Sequence, residues 1–234
     1  MKPLTLYETA PSGSIGCESV DVRETRAGAL NMSMRANREQ ERQIWSRLSG
    51  RYDLLIRVLS TSYSEIRARL RRDLKGRSRV LEVAAGTGQF TSALADVAAD
   101  LVATDLAPSM VERLEKRMRG EGRSNVSTRV VDATAIDDGA QSFDAVFCAN
   151  ALHIMSEPEA ALAEFHRVLV PDGLLLAPTF LHGTDRIRRL LSETMGTLSP
   201  RAIAFARFDL GGLGAMIMSA GFEINRSAEL PGVF

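Results

Sequence analysis

Residues 80–90 read Val-Leu-Glu-Val-Ala-Ala-Gly-Thr-Gly-Gln-Phe, and this stretch constrains the fold more than any other in the chain. An aliphatic, β-branched run gives way to small residues and two glycines, and a helical pattern starts at once. Such a pattern predicts a buried parallel strand that turns tightly into a helix N-terminus. Small residues in the turn let a ligand touch backbone, and the free N–H groups at a helix start can face polar ligand atoms.

The spacing disfavours a dinucleotide. A Gly-x-Gly-x-x-Gly fingerprint needs its third glycine for close helix–strand packing. Counting from Gly86 that position is Thr91, and counting from Ala84 it is Gln89. No Gly-Lys-Ser/Thr closes the loop, so it is no P-loop either. Glu82 lies inside the apolar strand, where a carboxylate is costly without a partner. A ligand ammonium or the N–H groups of the loop would supply one.

Leu81 to Gly88 resembles motif I of the class I S-adenosylmethionine (SAM)-dependent methyltransferases, usually written (D/E)-x-G-x-G-x-G. Ala84 stands where that family usually has its first glycine. The resemblance runs from about Trp45 to the end of the chain, nearest to the ubiquinone/menaquinone C-methyltransferases and related small-molecule enzymes. It implies SAM as cofactor, with Glu82, Ala84, Gly86, Thr87 and Gly88 at its binding loop.

Later segments follow in the family's order. Residues 100–110 read as a second strand ending at Asp105, after which Pro108 opens a helix. An acid at that strand end can accept both hydroxyls of a ribose. The resemblance makes Asp105 that acid, with Leu106 beside it and Met110 next to the adenine; an aspartate capping a loop is the plainer reading. Asn125 to Thr134 is a third strand, and the family's adenine-binding acid and the residue after it correspond to Asp132 and Ala133. Asp137-Asp138-Gly139 just downstream is an ordinary turn signal.

Residues 142–153 form the clearest strand. Asp144 corresponds to a structural acid at its start. Asn150, Ala151 and Leu152 fall at its carboxyl end, where ligands collect in open α/β sheets, and the resemblance puts Asn150 and Ala151 at the methionine part of SAM. His153, one step further, is a candidate general base at the edge of the acceptor pocket. A sulfonium is already an activated leaving group, however, and a surface or capping histidine fits equally well.

Helical spacing of Ala161, Leu162, Phe165, Val168 and Leu169 predicts a helix from Glu157-Pro158 through Val170. Pro171-Asp172-Gly173 is a stop, and 174–180 a fifth strand. Leu210–Ala220 reads as a helix and Gly221-Phe222-Glu223-Ile224 as the opening of a sixth strand. Alternating strands and helices from residue 79 predict an α/β fold with a doubly wound, mostly parallel sheet, Rossmann-like. The family's seventh strand is expected to be short or missing, since the sequence ends at Phe234.

The expected organisation is a flexible segment at 1–38, a helical cap at 39–78 and the SAM-binding domain at 79–234. Residues 44–55 resemble the segment before motif I in quinone-type methyltransferases. There Tyr52 is a candidate contact to SAM or acceptor, or else a half-buried core tyrosine. Arg67, Arg69, Arg71, Arg72, Lys75, Arg77 and Arg79 read first as a solvated helix face. The sharper reading is contact with anionic lipid headgroups or a nucleic acid. Apolar residues between 184 and 209, with Met155, suggest a greasy lid over a small, partly apolar acceptor.

Composition narrows the classes. With 234 residues, 45% hydrophobic, there is chain for one sizeable core and an appendage. The formal net charge of zero gives no global field for nucleic acid. Two cysteines, Cys17 and Cys148, make no disulfide framework, and three histidines make a histidine metal site unexpected. No apolar run suits a membrane span and no targeting peptide is evident, so a cytoplasmic location is the default. The Asn-Pro-Pro-Tyr signature of amino-group enzymes is absent, with Asn150-Ala151-Leu152-His153 in its place. The resulting expectation is a SAM-dependent methyltransferase working by in-line displacement on a small-molecule acceptor. A non-catalytic SAM-binding partner subunit and an NAD(P)-dependent oxidoreductase are the alternatives.

Overall fold

The computed structural model describes residues 2–4, 38–43, 45–46, 63–181 and 210–224. Tyr52 and the apolar segment 184–209 lie outside the described residues, as does everything after residue 224. Five parallel strands form the central sheet: β2 (Arg79–Val83), β3 (Asp100–Asp105), β4 (Val126–Val130), β5 (Phe143–Cys148) and β6 (Leu169–Leu176). Their order is β4-β3-β2-β5-β6. A separate antiparallel pair joins β1 (Lys2–Leu4) to β7 (Thr179–Leu181).

The order follows from the crossovers. Strands β2, β3 and β4 are linked through α3 (Thr91–Ala95) and α4 (Pro108–Gly120), which step the chain outward on one side. The chain then returns to the other side of β2 to lay down β5, and α5 (Pro158–Val168) leads on to β6. Strand β2 is therefore central, with Leu81 opposite Val102 on one side and Val146 on the other. A crevice opens at the carboxyl ends of the strands, where the winding reverses between β2 and β5.

Burial accounts for the strand patterns. Val80, Leu81 and Val83 are covered on both faces, as are most residues of β3 and β5. A continuous apolar run is what a two-sided parallel sheet requires. Strand β4 lies at one edge of the described sheet, and its residues are half-buried or exposed. Helix α5 sends Ala161, Leu162, Phe165 and Val168 into the core with no exposure at all. Full burial of each larger side chain is worth about 1.5–3 kcal/mol. Helix α6 (Leu210–Ser219) adds Leu213 and Ile217 to the same core.

Two expectations are corrected. Helix α5 stops at Val168, and β6 begins immediately at Leu169, opposite Phe143. The Pro171-Asp172-Gly173 stop thus lies within the strand, as a bulge that moves the register from Phe143/Leu169 to Ala145/Leu174. Asp172 has φ +61°, and a Cβ on Gly173 would lie 2.7 Å from the Val170 carbonyl oxygen, so the kink needs this tripeptide. The expected sixth strand is not formed among the described residues. Phe222 makes a single β-bridge, and Glu223 and Ile224 have no regular structure. Phe222 packs edge-on against His166, with centroids 5.4 Å apart.

The basic run before β2 is largely committed to the domain itself. Arg67 donates to the Gln89 carbonyl at 2.8 Å and lies over the Phe90 ring. Arg71 pairs with Asp96, Arg77 donates to the Asp172 carbonyl, and Arg79 pairs with Asp100 and covers the Phe143 ring. No helix among the described residues is long and apolar enough to cross a membrane.

Candidate functional site

The site is built from the turn that β2 delivers. Ala84, Gly86 and Gly88 have φ of +54°, +57° and +90°. These left-handed residues fold the loop back so that Ala85 N–H reaches the Thr104 carbonyl and Gly88 N–H the Ala85 carbonyl. Gly88 faces away from the crevice. A Cβ there would lie 2.7 Å from Leu114 Cδ1, so the glycine is needed for close approach of α4.

Glu82 is buried under this loop, and Thr91 Oγ1 at the start of α3 donates to its Oε2 at 2.6 Å. Burial pushes the carboxyl up to about 8, with the Thr91 hydrogen bond opposing and nearby Asp105 adding to the rise. Among the described residues its hydrogen-bond partner is the first residue of α3. The buried Cys148 thiol, on the adjacent strand, is raised to about 12, mainly by burial and next by Glu82.

Asp105 sits where β3 ends. Its Oδ2 accepts the Gly86 N–H and its Oδ1 the Ala107 N–H, both at 2.9 Å. The carboxylate retains acceptor capacity beyond these donors, which ribose hydroxyls would use. Burial raises its pKa, and the backbone donors at Ala107, Gly86 and Leu106 oppose the rise. Asp132, just past β4, forms a local turn: its Oδ1 accepts both the N–H and the hydroxyl of Thr134. Asn150 follows β5 with φ +53°, a conformation asparagine tolerates, and donates its N–H to the Pro178 carbonyl.

These groups converge on one cleft of about 830 Å³, counting the space open to solvent. Of the expected cofactor residues, Ala84, Gly86, Asp105, Leu106, Met110, Asp132, Ala133, Asn150 and Ala151 line it. Glu82, Thr87 and Gly88 do not; they support the loop from behind. His153 belongs to a single 3₁₀ turn, Leu152–Ile154, whose last residue lines the cleft while His153 does not.

The structure adds residues that sequence reasoning missed. Arg38, Glu41 and Trp45 come from a helical stretch at 38–43 and 45–46 (α1) and line the cleft together with Met155, Ser156 and Glu157. Arg38 donates to Thr134 Oγ1 at 2.8 Å and pairs with Glu157 and Asp132 at 3.4 and 3.5 Å. Glu41 accepts the Ser156 N–H at 3.0 Å, and its pKa is raised, chiefly by burial. An i, i+3 Arg–Glu pair on a polar helix carries no signal of this role in sequence.

The cleft fits SAM on its own chemistry. The Asp105 carboxylate has acceptor capacity to spare, the Ala84–Gly86 backbone is open to close approach, and among the described lining residues acidic groups outnumber cations, which suits a ligand that carries a sulfonium. Among the described residues no cluster of His, Cys, Asp and Glu could hold a metal ion.

Comparison with known proteins agrees. Residues 80–173 match the family model described as methyltransferase domain. A demethylmenaquinone methyltransferase of Renibacterium salmoninarum is 36% identical over 140 residues, covering 58% of this chain and 57% of that protein. A ubiquinone/menaquinone biosynthesis C-methyltransferase of Syntrophotalea carbinolica is 30% identical over 153 residues, covering 63% and 64%. The chain thus spans less than two thirds of the length of either relative. A SAM-dependent methyltransferase structure from Thermotoga maritima superposes with a TM-score of 0.64 at 20% identity, over 81% of this chain and 93% of that one, and shows the shared fold. Residues 80–173 of the chain thus match a methyltransferase domain, and in sequence the chain is similar to demethylmenaquinone and ubiquinone/menaquinone C-methyltransferases.

Proposed function

We propose that this chain transfers a methyl group from SAM to a small, partly apolar acceptor, with a quinol-type ring carbon as the first candidate. The observation that carries the reading is the convergence of Gly86, Asp105, Asp132 and Asn150 on one cleft, in the order the family uses them. Asp105 would hold the ribose hydroxyls, Asp132 and Ala133 the adenine edge, and Asn150 and Ala151 the methionine end. Bound SAM supplies an electrophilic methyl group on a positively charged sulfur, and the thioether left behind is neutral and needs no proton in order to leave.

The remaining work falls to position and dryness. Ile154 and Met155 give the cleft an apolar side, while Trp45 offers a flat face to a ring. The Asp105 and Asp132 carboxylates help to favour a cationic ligand over a neutral one. His153 does not line the cleft, so we infer that ring-carbon methylation here draws on the acceptor's own nucleophilicity: the carbon–carbon bond forms as the carbon–sulfur bond breaks, and the displaced ring proton passes to solvent. The names of the relatives, demethylmenaquinone and ubiquinone/menaquinone methyltransferase, support a quinol-type acceptor.

The test is transfer of labelled methyl from SAM to a panel holding a demethylated quinol, a catechol and a primary amine. Label on the quinol ring carbon supports the proposal; label on oxygen or nitrogen alone redirects the acceptor class. SAM binding with no transfer to any acceptor would favour a non-catalytic partner subunit.

A further inference from the structure

We propose that Arg38 is a positioning residue for the cofactor site: it latches α1 onto the adenine end and, by doing so, orients Asp132 and retains the cofactor. The inference rests on the functional reading above. Its basis is the set of contacts Arg38 makes. One guanidinium reaches Thr134 Oγ1 at 2.8 Å, Glu157 Oε2 at 3.4 Å and Asp132 Oδ2 at 3.5 Å. These three partners come from two separate loops at the carboxyl edge of the sheet, and all line the cleft.

The division of Asp132 is informative. Its Oδ1 is occupied by the Thr134 N–H and hydroxyl, so only Oδ2 is left to meet a ligand amino group. Arg38 sits on Oδ2, and Thr134, which orients Oδ1, also accepts from Arg38. Removing the guanidinium therefore loosens both oxygens. It also leaves Asp132 and Glu157 facing Glu41 with no cation among the cleft-lining residues described. Glu41, three residues along the same helix, holds the Ser156 N–H, so α1 is fastened at two points, and Arg38 supplies the charged one. Side-chain exposures of 23% for Arg38 and 28% for Asp132 place the pair in a partly desolvated setting, where such contacts count for more than on an open surface.

Trp45 is the single tryptophan of the chain, lies on α1 and lines the cleft, so its fluorescence reports α1 without any ligand. The experiment uses the full chain and compares Arg38→Gln and Arg38→Lys with the parent. Two readouts are taken: acrylamide quenching of Trp45, and calorimetric affinity for S-adenosylhomocysteine. Loss of the charged contacts is expected to raise the quenching constant roughly threefold and the dissociation constant about tenfold in Arg38→Gln, with Arg38→Lys in between. Salt should raise parental quenching and leave that of Arg38→Gln unmoved. Should Arg38→Gln fail to fold, Glu157→Gln removes one partner instead and is read in the same way.

Equal quenching in parent and Arg38→Gln would overturn the latch. Higher quenching with unchanged affinity would overturn its role towards the cofactor. A parent that binds no S-adenosylhomocysteine at all would sink the functional reading and this proposal together. A parent that binds it no more tightly than Arg38→Gln would sink this proposal alone.

Discussion

Thr91 donates its hydroxyl hydrogen to Glu82 across 2.6 Å, and both side chains are buried where β2 meets α3. The pair joins the strand to the first residue of the helix beneath the cofactor loop. Its cost is a carboxyl kept out of water, with a pKa raised from 4.5 to about 8 mainly by burial. Between those values the folded state holds a proton that the unfolded state has released. Stability from this group is therefore complete below about pH 4.5 and is lost as pH rises through about 8. Thermal stability of the parent should fall as pH rises from 4.5 to about 8 and level off above that. Glu82→Gln retains an acceptor for Thr91 and should flatten that slope; equal slopes in the two proteins would refute the assignment.

Gly88→Ala should be the most damaging single methyl in the loop. Its φ of +90° disfavours any side chain, and the new Cβ would meet Leu114, itself fully buried, at 2.7 Å. Strain and overpacking together suggest a loss of about 2–3 kcal/mol in urea unfolding. Combining it with Leu114→Ala should cost less than the sum of the two single changes. Strict additivity would show that the contact does not limit the site.

Ala84→Gly should act in the opposite sense. Ala84 holds φ +54° without being a glycine, a conformation that costs an L-residue about 1–2 kcal/mol. Relief of that strain, offset by the greater freedom of glycine when unfolded, predicts a change between neutral and about 1 kcal/mol more stable. Denaturant midpoints decide it, and a clear loss of stability would mean the methyl group packs usefully.

Asp144→Ala should separate stability from binding. Asp144 Oδ2 accepts the N–H groups of Ser78 and Arg79, both at 2.8 Å, fastening the start of β2 to β5 at the end of the sheet opposite the cleft. Removing it should cost about 1–2 kcal/mol while leaving cofactor affinity within about twofold. A large loss of affinity at intact stability would contradict that separation.

Much of this architecture was legible because two-sided burial writes itself into β2, β3 and β5 as unbroken apolar runs. Asp105 could be placed because it ends such a run, and Asp132, which follows the mixed edge strand β4, because it falls where the family's order puts its adenine-binding acid. The failures have local causes. Pro171-Asp172-Gly173 is chemically a stop, yet pairing of Leu169 with Phe143 draws it into β6 as a bulge. Glu82 carried the right signal, a carboxylate needing a partner, but the partner was Thr91, nine residues on, and sequence does not reveal which way a side chain points. Arg38 and Glu41 were invisible as site residues because their contacts lie 94 to 119 positions away, a result of packing rather than pattern.

The order β4-β3-β2-β5-β6 also has a consequence for the chain as it is made. Gly86 and Asp105 are synthesised early, but β2 lacks one of its two neighbours until Phe143–Cys148 has emerged, and Asn150 comes later still. A nascent chain cut just before β5 already holds the residues assigned to the nucleoside, but on a sheet whose central strand still lacks a neighbour and without the methionine end of the cleft. Ligand therefore gains its full set of contacts only once β5 and Asn150 are in place, and rewards the finished molecule most.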